Sequence, residues 1–352
     1  MINVGPSFLL PANSSRFFSD CATALNQPLG HLQLAWNELD PFVVNSEYHS
    51  ELIKYDEQYC TAVSAIGITY LIPTLTYIEN VLGMLPEGCS VVDIGCGQGE
   101  LVEKLRASGV NASGFDPVLR TESKHLHPRY WSSEDLPADL YVMRCVLPHI
   151  AKPWDFLASI SDSSPGSLVL IEFQRLEWII ENSIWYQISH DHVNLFSLED
   201  FYGRYDVVSS GTFSNGEWGW VLVNPSSKRI HNPKSLSVSP VSIASLFEEK
   251  NRFLQIASGL GREIVIWGAA GKGIVLAHAL GNVNCRISAI DADPHRWNLF
   301  LEASGVEVLS PDRGLEETVR DSLILVCNPN HLQQVEQLVA GRFEVCLPHE
   351  FV

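Results

Sequence analysis

Three stretches of this chain hold residue types that do chemistry. The first is Val91-Val92-Asp93-Ile94-Gly95-Cys96-Gly97-Gln98-Gly99, an apolar run that closes on an acid and three alternating glycines. Glycines there permit a tight turn and let a ligand approach main chain that side chains would otherwise shield. Asp116, 17 residues beyond Gly99, ends the next apolar run, where a carboxylate can accept two vicinal hydroxyls. The second stretch is Ser189-His190-Asp191-His192. An imidazole removes protons near neutral pH, and an acid beside it raises its basicity and fixes its tautomer. Pairing of Asp191 with His192 requires a loop, because neighbours on a strand face opposite ways. The triplet is poorly spaced for a metal ion, so no metal is expected; a polar surface loop is the plain alternative. The third is Ile266-Trp267-Gly268-Ala269-Ala270-Gly271-Lys272-Gly273. Its main-chain N–H groups and Lys272 can hold an anionic group, or the turn can stand there with nothing bound.

These stretches need elements to place them. Apolar runs at 90–96, 112–115, 140–145 and 168–173 read as buried strands, with helical spacing at 100–108 and 154–160 between them. Strands alternating with helices predict a parallel sheet covered on both faces. A hairpin through Asn215-Gly216 closes that sheet, and 225–240 reads as a linker. The pattern then restarts, with a helix near 241–260 and strands at 264–267, 286–290, 323–327 and 343–347. The fold class is therefore α/β: a doubly wound, Rossmann-like unit over 71–228 and a second, smaller Rossmann-like unit over 229–352. Residues 1–70 form an N-terminal extension that reaches the site. A helix from Ala65 to Leu85, spanning the boundary, is expected to be broken by Pro73.

In such a sheet the ligands lie at the carboxyl ends of the strands. That places Arg144 beside a bound ligand and His149 within sight of a substrate, with a buried structural histidine as the alternative. Glu134 and Asp135 follow the third strand, where Asp135 can cap a helix.

Composition narrows the partners. Lys and Arg number 23 against 41 Asp and Glu, a net charge of −18, which disfavours nucleic acid and anionic membrane. No run approaches the ~20 apolar residues of a membrane span, and no secretory signal opens the chain. The eight cysteines contain no C-x-x-C pair, so reduced thiols and a cytoplasmic setting are expected. The oligomeric state is open.

The glycine turn with its strand-end acid resembles motif I of the class I S-adenosylmethionine methyltransferases. The resemblance implies S-adenosylmethionine as cofactor, with Asp93, Gly95, Gly97, Gly99, Asp116, Glu134 and Asp135 around it. Four segments carry the resemblance further: Tyr59-x-x-x-x-Ser64, Val146-x-x-His149-Ile150, Ile188-x-His190-Asp191-His192-x-x-x-Phe196-Ser197 and the 268–273 turn. Together they look like the sugar C-methyltransferases of deoxysugar biosynthesis, which methylate a nucleotide-linked 4-keto sugar. That likeness implies His192 as base, with Asp191, Tyr59 and His149 in its pocket. His190 and Lys272 are then expected at the substrate, Lys272 on its diphosphate. Two departures stand out. The family's N-terminal zinc module has paired cysteines where this chain has only Cys21 and Cys60, and its Tyr-His-Glu-His reads Ser189-His190-Asp191-His192 here. The substrate is thus a small molecule. Another natural-product intermediate methylated on O, N or C is the alternative within the class, and a nicotinamide-dependent oxidoreductase the alternative outside it.

Overall fold

A computed structural model describes residues 1–37, 40–56, 58–59, 65–228, 238–318 and 320–351. Ser64 and Cys60, and most of the expected linker, lie outside these residues.

The apolar runs of the central region become a seven-stranded sheet. Its order is Tyr205–Phe213, Trp218–Lys228, Leu168–Gln174, Leu140–Arg144, Ser90–Ile94, Asn111–Phe115, Leu126–His127. The last five are parallel, and Trp218–Lys228 runs antiparallel to both of its neighbours. The parallel strands read as continuous apolar runs because helices cover both faces. Strand order reverses between Ser90–Ile94 and Leu140–Arg144, and a cleft opens at such a reversal. The helix Ala65–Leu82 runs through Pro73 rather than breaking there. Burial of Leu71, Ile78 and Val81 against the sheet offsets the ~3 kcal/mol that an interior proline costs.

The C-terminal pattern becomes a second, five-stranded parallel sheet: Val308–Leu309, Ile287–Ile290, Ile264–Trp267, Leu323–Val326, Glu344–Cys346. Helices Pro240–Gly259, Lys272–Leu280, Pro311–Glu317 and Leu332–Val339 accompany it.

The N-terminal residues form short antiparallel pairings instead of a unit of their own. Ile2–Asn3, Leu34–Asn37 and Asp40–Asn45 make a sheet with Asn194–Leu195 of the central region. Phe17–Phe18 pairs with Phe300–Leu301 of the C-terminal unit. One hydrophobic core joins all three parts of the chain: Leu10, Phe17 and Leu32 meet Trp185, Tyr186 and Ile188, and these meet Ile266, Ile274 and Leu325. No helix among the described residues is long and apolar enough to cross a membrane.

Candidate active site

A cavity of about 720 Å³ opens at the strand reversal. Of the first glycine turn Gly95 lines it, with Ile94 before it, while Gly97 and Gly99 lie outside the lining. Gly95, Gly97 and Gly99 have φ of 74°, 59° and 94°, a region closed to most side chains. A Cβ on Gly95 would stand 2.3 Å from Val146 Cγ2, and one on Gly99 2.5 Å from Leu126 Cδ1. The turn is bare because neighbouring side chains already fill the space.

Asp116 lies on the cavity wall, at the end of the strand Asn111–Phe115. Its two oxygens accept from Gly97 N at 2.9 Å and Val118 N at 2.8 Å. Burial raises its carboxyl above the usual range, against the pull of those two bonds. Each oxygen keeps acceptor capacity for a ligand hydroxyl. Asp93 is buried beneath the turn, with Oδ1 unpartnered and its carboxyl pushed up to about 7 by burial, against the opposing charge of Arg144. Arg144 lines the cavity and donates to Glu172 Oε2 at 3.1 Å. Beside Asp116, the side chains of Phe115, Val118, Trp131 and Phe156 form an apolar wall, the surface a flat base would pack on.

Two residues expected at that wall are elsewhere. Asp135 forms an ion pair with Arg129 and accepts from Ser132 N at 2.9 Å; Glu134 is exposed, and neither lines the cavity. Asp135 holds its own loop in shape, and the residues of that loop that reach the cavity are Tyr130 and Trp131.

Opposite the turn, Tyr59, His149 and His192 meet. The His149 and His192 rings pack edge to face at 4.6 Å between centroids, and Tyr55 bridges His149 at 6.3 Å and Tyr59 at 5.1 Å. His149 Nδ1 donates to the Asp191 carbonyl at 2.8 Å, which leaves Nε2 as an acceptor. Burial pushes His192 down to about 4, helped by the neighbouring His149 and Lys272 and opposed by Asp191. Its imidazole is neutral at physiological pH. Burial, with the charge of nearby Asp191, pushes the Tyr59 hydroxyl well up, so it stays protonated.

Asp191 does sit on a loop, but its carboxylate is engaged away from His192. Oδ1 accepts from Ser189 Oγ at 2.6 Å, and Oδ2 accepts from Ser14 N at 3.1 Å and Ser14 Oγ at 3.0 Å. Burial works to raise this carboxyl, yet His192, His149 and the hydrogen bonds outweigh it and hold the group below its ordinary value. Among the described residues, His149, Asp191 and His192 bring donor atoms within 4.8 Å of one another. That grouping lay outside the expected triplet, because His149 replaces His190 in it.

His190 does not line the cavity. Its ring is buried under the N-terminal strands, where Nδ1 donates to His31 O at 2.9 Å and Tyr48 stacks on it at 5.6 Å. Gly30 is bare so that this ring fits, a Cβ there falling 2.4 Å from it. Lys272 does not line the cavity either. Its Nζ is buried on Glu217 Oε1 at 2.6 Å, and Glu217 accepts further bonds from Asn328 and Asn330. Of the second glycine turn only Gly271 reaches the cavity. Asp291 mirrors Asp116, accepting from Ala269 N at 2.7 Å and Asp293 N at 2.8 Å, but Arg296 also covers both of its oxygens at 3.2 Å. Ser14, Ser15, Tyr55, Gln187 and Ser189 are also among the lining residues. Of these only Ser189 falls in a stretch that the sequence singles out.

Residues 70–205 match the methyltransferase domain family. No curated protein matches the chain. Similar solved structures include a Pyrococcus horikoshii OT3 protein at 14% identity, covering 47% of this chain and 94% of its own, with TM-score 0.37. An S-adenosylmethionine-dependent methyltransferase from Clostridium acetobutylicum is 13% identical over 42% of this chain and 88% of its own, TM-score 0.33. The Burkholderia thailandensis 1,6-didemethyltoxoflavin-N1-methyltransferase, bound to its substrate and S-adenosylhomocysteine, is 15% identical over 45% and 76%, TM-score 0.33. Residues 70–205 thus form a methyltransferase domain, which makes the chain an enzyme of methyl transfer.

Proposed function

We propose that the protein methylates a carbon of a small carbonyl compound, with His192 as the base. The observation that carries the reading is the neutral His192 imidazole on the wall of the same cavity that Gly95 of the first glycine turn lines. The site fits the cofactor: the Asp116 carboxylate and the Gly95 main chain line one cavity, with an apolar wall beside them. When bound there, S-adenosylmethionine supplies an electrophilic methyl carbon on a cationic sulfur. Asp116 would hold its ribose hydroxyls, and Phe115, Val118 and Trp131 its base.

The rest belongs to the protein's own groups. His192 takes the proton from the carbon beside the acceptor carbonyl, and the freed electron pair forms the new bond to the methyl carbon. Tyr59, held protonated, donates to the acceptor oxygen as charge develops there. His149 keeps Nε2 free to accept a hydroxyl and orient the acceptor. His192 then returns its proton to solvent.

A nucleotide-linked 4-keto sugar is the acceptor that the resemblance implies. A second reading, an uncharged ketone of another biosynthetic route, is favoured by one observation. Arg144 is the only lysine or arginine among the described lining residues, and it is paired with Glu172. The expected diphosphate anchor, Lys272, is tied to Glu217.

Methyl-labelled S-adenosylmethionine, offered with nucleotide-linked keto sugars and with uncharged ketones, distinguishes the two by which product gains the label on carbon. His192→Asn lowers turnover ~10²-fold or more and leaves S-adenosylhomocysteine affinity unchanged. Equal turnover in the variant removes His192 from the reaction.

A further inference from the structure

The stretch Asn13-Ser14-Ser15-Arg16 threads between the two α/β units and has a partner for each of its side chains. Asn13 donates from N and Nδ2 to Glu302 Oε1 at 3.4 and 3.3 Å, and its Oδ1 accepts from Lys54 N at 3.0 Å. Ser15 bonds to the Tyr59 hydroxyl. Arg16 grips Asp56 with two nitrogens, at 3.2 and 2.7 Å, and donates to Gln27 Oε1 at 2.8 Å. Ser14 is tied on both sides. Its carbonyl accepts from Gly271 N at 2.8 Å, while its own N and Oγ donate to Asp191 Oδ2.

A glycine turn opening a helix presents main-chain N–H groups suited to an anionic ligand. Here the Gly271 N–H is taken by a carbonyl of the same chain. We propose that the C-terminal glycine turn works as a clamp on residues 13–16, and that Ser14, so held, is a positioning residue that fixes the loop carrying His192. The proposal rests on His192 acting as the base.

The physical case is a chain of contacts. Asp191 is 1% exposed, and a buried carboxylate persists as an anion only with several donors around it. Ser14 supplies two of its three, and Ser189 the third. The Asp191 main chain in turn holds the His149 ring, and His192 is the next residue. A shift of the Asp191 side chain therefore moves both rings, whose mutual packing leaves little freedom. Ser15 extends the effect to Tyr59, so one short segment sets every group assigned to the acceptor.

The test uses the full-length protein with S-adenosylhomocysteine and reads the ring nitrogens of His149 and His192 by NMR near neutral pH. In the unsubstituted protein each ring gives one tautomer. Ser14→Ala is expected to shift both sets of ring signals and mix the tautomers; Ser14→Thr, which keeps the hydroxyl, restores the original spectrum. Ring signals identical in Ser14→Ala and the parent overturn the proposal. Should Ser14→Ala not fold, hydrogen exchange of the parent decides. Slow exchange at the Ser14 and Gly271 amides supports the clamp, and exchange at open-loop rates refutes it. Failure of S-adenosylhomocysteine to bind would count against the cofactor site alone, since the ring comparison needs no ligand.

Discussion

At the residue scale, the chemistry turns on how burial sorts titratable groups that look alike in sequence. His192 is driven toward the neutral form by burial and by His149 and Lys272, and the hydrogen bonds from Ser189 and Ser14 help hold the Asp191 carboxyl below its ordinary value. The depressed His192 value gives folding a definite pH sense. The unfolded ring takes up its proton near 6.5, so the stability from burying it neutral is present above that pH and fades as pH falls toward about 4. An NMR titration of the His192 ring should have its midpoint well below 6.5; a midpoint at the ordinary value contradicts the site as described. Residue types in sequence marked the reactive groups without marking their direction. Tyr59, Asp116, Arg144, His149 and His192 do line one cavity. Lys272 has the makings of an anion ligand beside its glycines, but Glu217 neutralises it from a hairpin 55 residues earlier. His190 shares the composition of the triplet, yet the N-terminal strands cover it.

At the scale of elements, the legible parts were those with long, locally encoded signals. Ser90–Ile94, Leu140–Arg144 and Leu168–Gln174 are continuous apolar runs and sit where such runs imply, at the centre of a covered sheet. The two-residue strands Ile2–Asn3, Phe17–Phe18 and Asn194–Leu195 are too short to show alternation, and each pairs with a partner distant in sequence. Tertiary packing alone defines them. The 95–99 turn was readable because glycine is forced there. Gly95→Ala should destabilise the protein by ~1–3 kcal/mol, the usual cost of overpacking, since its Cβ meets Val146 at a φ of 74°. It should also abolish S-adenosylhomocysteine binding. Denaturant melts and calorimetry check both; a variant of parental stability that still binds would mean the turn relaxes freely.

At the scale of the whole molecule, three sequence-defined parts fold around a shared core, and the contacts between them are polar as well as apolar. The Lys272–Glu217 pair joins the C-terminal unit to the hairpin of the central sheet. Removing one member of a buried pair strands the other, at a cost of ~3–5 kcal/mol. Lys272→Met should therefore lower the melting temperature in a thermal scan while leaving S-adenosylhomocysteine affinity as it was. An unchanged melting temperature would show that Asn328 and Asn330 suffice for Glu217. Pattern reading found both α/β units but not this joint, because neither sequence neighbourhood mentions the other.

The account depends most on Asp116 and the turn below it. Calorimetry of S-adenosylmethionine with the full-length protein and with Asp116→Ala tests that directly. Binding to the parent, weakened by ~1–3 kcal/mol in the variant as buried hydrogen-bond partners are orphaned, is the predicted result. Equal affinity in the two proteins would place the cofactor somewhere else.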